Sequence, residues 1–301
     1  MGLLDRAKKT ALERNDDFIS KLMLIDYSSI LYKGLGVHTE MMCGGTYTGG
    51  LIGLVDQFGS LIREHRPEHV IICADAPPYF RKTEVFPAYK EDRAKRKTVI
   101  PKEAFGDTLR LGKTFCETAG LHMWSEAGWE ADDLFAFAVK QYTNDYDRII
   151  IASADDDLYQ LFDYDNVYLC KKKGLYGKRQ FEQEFPDLTP EDWVIYNAIK
   201  GGHNNYKGLS GVGPVKAMEI MRDDALLDKT YAEHEDLLNI GLQVCSLPLP
   251  KSSLPKGTGF PEVPKPFAPQ YDELAIRDFL RQYGIRPSPN LSMALTHLSG
   301  F

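Results

Sequence analysis

The chain has 301 residues, 43% of them hydrophobic and 26% charged, which is enough to bury a substantial core and long for one domain. Its formal net charge of -7 excludes a uniformly basic nucleic-acid binder, although that total averages an acidic pocket with basic stretches. Five widely spaced cysteines without a CxxC pair exclude a disulfide framework and a zinc ribbon. No apolar run reaches transmembrane length and Arg6 breaks a myristoylation pattern, so a soluble, cytoplasmic protein without membrane attachment is expected.

In chain order, Leu3, Leu4, Ala7, Ala11 and Leu12 fall at helical spacing and predict an amphipathic leader over residues 1–20. The run Leu22-Met23-Leu24-Ile25 ends on Asp26, and helices are expected from Ser28 to Leu35 and from Leu51 to Glu64, the second stopped by Pro67. The run from Val70 to Ala74 ends on Asp75, completing a β-α-β order. Residues 79–100 lack apolar periodicity and predict a solvent-facing loop or exposed helices, after which Lys102 to Ala119 resumes a helical pattern. Glu130-Ala131-Asp132-Asp133 opens another apolar helix, and Ile149 to Ala154 runs into Asp155-Asp156-Asp157. Trp193 to Arg222 predicts two helices around a glycine-rich turn. Prolines dominate beyond Cys245 until a terminal helix from Asp272 to Tyr283. The expected organisation is a leader (1–20), an α/β core (21–190) with a protrusion at about 79–105, a helical hairpin region (191–240), and a proline-rich segment with a C-terminal helix packing on the core (241–301).

Short apolar runs of this kind read as buried parallel strands, and open α/β sheets place their sites beyond the carboxyl ends of the strands. Acids at three such ends converge on one pocket, where they repel unless cations neutralise them. Carboxylate oxygens suit magnesium or manganese. An acidic first helical turn needs no metal, since it favours the helix dipole, but here it is accompanied by Asp26, Asp75 and the Asp155 cluster. Between the acids, Arg81 to Lys97 carries a local excess of four positive charges interleaved with aromatics, a pattern suited to phosphates and stacked bases. Gly211-Val212-Gly213-Pro214 offers backbone N–H groups at a helix start, and no acid interrupts Trp193 to Met218, which holds Lys200, Lys207 and Lys216. Lys171, Lys172, Lys173, Lys178 and Arg179 extend the same basic face.

Asp26, Asp75 with Arg81 and Tyr89-Lys90-x-x-Arg93, Glu130-Ala-Asp-Asp, Ser153-x-Asp-x-Asp-Leu and Gly211-Val-Gly-Pro, in this order, closely resemble the flap endonuclease and 5′-3′ exonuclease family, in its phage and bacterial replication branch. The resemblance implies an α/β, mainly parallel, PIN-like sheet flanked by helices, with a helical arch and a helix-hairpin-helix subdomain. It implies Asp26, Asp75, Glu130 and Asp132 around a tight first Mg2+ or Mn2+, with Asp133, Asp155 and Asp157 near a second. Asp26, Asp75, Lys90 and Arg93 become the catalytic group. Lys33, Arg81, Tyr89, Lys207, Gly211, Gly213 and Lys216 become nucleic-acid contacts, with potassium at the hairpin turn. The implied partners are DNA with 5′ flaps or ends, RNA-DNA hybrid and replication proteins, bound by a monomer. Two departures weaken the second site: Gly201 and Asn204 stand where the family has aspartates, and Asp156 replaces a lysine. The competing expectations are a structure-specific DNA-binding protein that has lost catalysis, and a small ribonuclease of related fold, which would lack the hairpin.

Overall fold

The computed structural model describes residues 19–92, 100–172, 174–202 and 204–300. Residues 1–18 of the expected leader and Arg93 lie outside the described residues. Strand β1 (Lys21–Asp26) leads into α1 (Tyr27–Val37). A two-stranded ribbon, β2 (Met42–Cys43) and β3 (Thr46–Tyr47), precedes α2 (Gly49–His65) and β4 (His69–Cys73). A short helical turn, Arg81–Val85, is followed by α3 (Lys102–Thr118) and β5 (His122–Trp124). Then come α4 (Ala131–Tyr142), β6 (Arg148–Ala152), a 3-10 helix (Asp156–Asp163), β7 (Val167–Lys171) and β8 (Gly174–Gly177).

The main sheet has the order β5-β4-β1-β6-β7-β8, parallel except for β8. The chain steps outward from β1 through β4 to β5, then returns to β6 on the other side of β1. That reversal opens a crevice beyond the carboxyl ends of β1 and β6, where ligands of open α/β sheets bind. Alternation along the strands explains the continuous apolar runs. Leu22, Leu24, Ile71, Ile149 and Ile151 face one core with Leu134 and Phe135 of α4, while Met23, Ile25, Ile72 and Ile150 face a second with Leu31, Leu54, Phe58 and Phe115. Helices α1 and α2 cross at glycine: a Cβ at Gly34 would lie 2.5 Å from the Gly53 Cα.

Helices α5 (Lys178–Glu184), α6 (Asp192–Lys200), α7 (Pro214–Met221), α8 (Asp224–Glu233) and α9 (Glu235–Cys245) form the region after the sheet. The chain closes with α10 (Glu273–Gln282) and α11 (Pro289–Leu298). Only the first of these was expected. Helix α11 starts on a Ser288 cap with Pro289 at its first position and buries Leu291, Leu295 and Leu298 in the second core, about 1.5–3 kcal/mol for each side chain. All five cysteines are free. Among the described residues no helix is long and apolar enough to cross a membrane.

Candidate active site

Asp26 ends β1 and caps α1, its Oδ1 accepting from the Ser29 N–H at 2.8 Å, while the Ser153 hydroxyl donates to Oδ2 at 3.4 Å. Asp75, two residues past β4, accepts from the Ala131 N–H at 2.9 Å and from the Ser28 hydroxyl at 3.4 Å. Asp155, beyond β6, caps the 3-10 helix through the Asp157 N–H at 2.9 Å. Asp132 sits in the first turn of α4. Their charges feel one another. Burial, followed by repulsion from Asp75 and Asp155, pushes Asp26 up to about 6, against the pull of its Ser29 and Ser153 hydrogen bonds. Burial, then Asp155 and Asp26, also raises Asp132 above the usual carboxylate range. Acids from three strand ends and one helix start therefore face one region at the sheet reversal, within range of one another's charge.

A second set of acids at the same helix start is bound by the protein itself. Arg81 is 3% exposed, and its guanidinium donates to Asp133 Oδ1 at 2.9 Å and to Glu130 Oε2 at 3.2 Å. It also donates to the carbonyls of Val244, at 3.0 Å, and Ser246, which ties the end of α9 to the start of α4. The Tyr89 hydroxyl donates to Glu130 Oε2 at 2.9 Å, and the Lys90 ammonium pairs with Glu130 Oε1. Burial opposes ionisation of Glu130, but Arg81 and Lys90 more than offset it and hold its carboxyl below the usual range. Tyr89 is itself 3% exposed, and burial together with Glu130 keeps its proton on.

These contacts correct several expectations. Arg81 and Tyr89 are too deeply buried to meet phosphates or bases, because they neutralise and hydrogen-bond the acids of α4. Asp133 is 1% exposed and committed to Arg81, so its oxygens do not open toward an ion. The four-acid cage expected for a tight first metal is not preassembled, because Glu130 is turned to Lys90, Tyr89 and Arg81. Among the described residues no three metal-ligating side chains are gathered closely enough to hold an ion. Asp26, Asp75 and Asp132 still fit a hard cation, since magnesium is held through one or two carboxylates with water and phosphate oxygens completing its shell. Asp156 pairs with Lys171 at 2.6 Å, so it adds no free charge, and Lys178 pairs with Asp165 at 2.8 Å.

On the second side, the buried Asn197 amide of α6 donates to Asp157 Oδ1 at 3.3 Å, a contact that the residue pattern did not signal. Gly201 has φ +65, and a Cβ there would lie 2.0 Å from the Lys207 carbonyl carbon. The carboxylate missing at that position is thus excluded by backbone packing. Lys33, Lys207, Gly211, Gly213 and Lys216 are exposed. Gly211 takes φ +73, and Gly213 caps α7 with Pro214 at its first position, so the turn presents its backbone to solvent.

A mainly parallel sheet with carboxylates fanned over its reversal defines an open α/β protein with a candidate cation site at the switch point of the sheet. Residues 21–186, more than half of the chain, match the family described as 5′-3′ exonuclease, N-terminal resolvase-like domain, and the chain belongs to that family. DNA polymerase I from Mycobacterium leprae is 28% identical over 225 residues, covering 72% of this chain and 24% of the relative. The chain thus spans about a quarter of the length of the curated relatives it matches. A flap endonuclease from bacteriophage T5, solved as a pseudo-enzyme-product complex with DNA and metal ions, shares the fold with a TM-score of 0.62 at 18% identity, covering 92% of this chain and 97% of that one. Flap endonuclease-1 from Methanococcus jannaschii gives 0.62 at 16% identity, with 95% of each chain covered.

Proposed function

We propose that this chain is a structure-specific 5′ nuclease, a flap endonuclease and 5′-3′ exonuclease, that hydrolyses phosphodiester bonds near single-strand/duplex junctions in DNA replication or RNA primer removal. The observation that carries the reading is the convergence of Asp26, Asp75, Asp132 and Asp155 at the sheet reversal, with mutual repulsion that favours a cation. Family membership and the T5 relative's DNA and metal ions support it.

Asp26, Asp75 and Asp132 would hold the first ion, with Glu130, paired to Lys90, as a further acid beside them. Asp155 and Asp157 serve a weaker second site, because Gly201 and Asn204 supply no anionic ligand. Divalent magnesium or manganese, when bound, activates the attacking water and neutralises charge on the phosphate. Lys90 then stabilises charge on the scissile phosphate, as a point charge and not as a base, and Arg93 serves as the second arch cation. Lys207, Lys216 and the exposed backbone at Gly211 and Gly213 grip the duplex backbone, with potassium at that turn, and Lys33 contacts the strand near Asp26. The enzyme works as a monomer in the cytoplasm of a bacterial or phage-infected cell, on DNA ends, flaps or RNA-DNA hybrid, alongside replication proteins.

A labelled 5′-flap DNA incubated with Mg2+ or Mn2+ tests this reading: release of a short 5′ product is expected. Tight flap binding without any product would replace it with a binding protein.

A further inference from the structure

Lys90 is held from the hairpin side in a way that its place among the acids does not require. Its backbone lies in the left-handed region at φ +55, a conformation unfavourable for a lysine, and its N–H donates to the Asn204 carbonyl at 3.0 Å. Asn204 is also left-handed, at φ +47, where asparagine is tolerated. Its side-chain amide donates to the Tyr89 hydroxyl at 3.2 Å, that hydroxyl donates its single proton to Glu130, and Glu130 pairs with the Lys90 ammonium. The contacts close a ring from Asn204 through Tyr89 and Glu130 to Lys90 and back to Asn204. The neighbouring Asn205 side chain accepts from the Asp92 N–H at 3.2 Å, a second link between the same two segments. The Lys90 ammonium lies 5.1 Å from the centre of the Tyr79 ring and 5.3 Å from that of Tyr89, so the position of Tyr89 bears directly on it.

We infer that Asn204 is a positioning residue for Lys90: it latches the loop before the hairpin to the base of the 79–105 segment and sets where the Lys90 ammonium stands over the acids. The inference rests on the nuclease reading above. An aspartate at 204 has no proton to donate and would compete with Glu130 for the only proton of Tyr89, so the neutral side chain serves as a donor here. The family difference at 204 is then an exchange of roles, a hydrogen-bond latch in place of a charged ligand.

The test compares the full chain with Asn204→Asp, Asn204→Ala, Tyr89→Phe and the Asn204→Ala/Tyr89→Phe double variant. Cleavage of a 5′ flap gives kcat and KM, amide hydrogen exchange over residues 86–92 is followed in metal-free protein, and Mn2+ binding is titrated for Asn204→Asp. Each single variant is expected to lose about tenfold in kcat with KM within about twofold, and the double variant to lose no more than the weaker single. The Lys90 amide should exchange about tenfold faster, and Mn2+ affinity should not rise in Asn204→Asp. Tighter Mn2+ binding or faster cutting by Asn204→Asp, multiplicative losses in the double variant, or unchanged exchange would each overturn the latch. A wild-type chain that cuts no flap removes the nuclease reading instead, and the exchange measurement still decides whether the latch exists.

Discussion

Glu130 and Asp133 at the start of α4 are bound by Arg81 and Lys90, whereas Asp26, Asp75 and Asp132, in the same pocket, have no salt bridge to lysine or arginine among the described residues. The first set is neutralised by the chain and helps to build the fold: Arg81 joins the base of the protrusion, the start of α4 and the end of α9. The second set is left to repel itself, and burial with that repulsion raises Asp26 and Asp132. Acids that carry structure bring their own cations. Acids buried without such cations raise the free energy of the folded protein while they stay ionised.

The contrast can be broken by exchanging the roles of the two sets. Asp26→Asn should lower flap cleavage by about three orders of magnitude while changing flap affinity only slightly, because it removes several kcal/mol of metal-borne stabilisation of the reacting phosphate and no duplex contact. A parallel loss of binding would erase the distinction. Asp133→Ala should instead destabilise the fold by about 3 kcal/mol or more in urea titration, since it strands a buried guanidinium. Retention of wild-type stability would show that Arg81 is satisfied without it.

The pH response sharpens the contrast. Asp26 titrates near 6 in the folded chain and near its ordinary 3.8 when unfolded, so between those values the folded state holds a proton that the unfolded state has lost. Stability of the metal-free protein should therefore fall as pH rises from about 4 to about 6, by roughly 2–3 kcal/mol from this residue, and stay lower above that window. Thermal melts should show the decline, Asp26→Asn should remove its share, and millimolar Mg2+ at pH 7.5 should restore stability. A rise in stability over that window would contradict the raised acid. Smallest of all, Lys216→Ala should weaken flap binding a few-fold with little change in turnover and reduce the slope of log affinity against log salt by about one.

Much of this was legible in the order of residues. Apolar runs stopping on Asp26, Asp75 and Asp155 located three parallel strands, because a strand buried on both faces has no alternation to disguise it. Gly211, Gly213 and Pro214 located the hairpin turn through the backbone chemistry that a helix start needs. Helix α11 was missed although Ser288-Pro289 marks its start, since the preceding prolines masked the return of periodicity. Arg81 and Tyr89 read as surface cation and stacking ring because a basic, aromatic-rich stretch carries no sign of which member turns inward.

Local patterns of apolar, acidic and turn residues were enough to specify the strands, their acidic ends, the hairpin and the family, since each depends on neighbours within a few positions. The partnership of each acid depended on approach across the fold: Arg81 reaches Asp133 over 52 positions, and Asn204 reaches Tyr89 over 115. Ion pairs and hydrogen bonds form wherever packing brings charges together, and no local period records them, so only the tertiary structure separated the acids that the chain itself neutralises from those with no lysine or arginine salt bridge among the described residues.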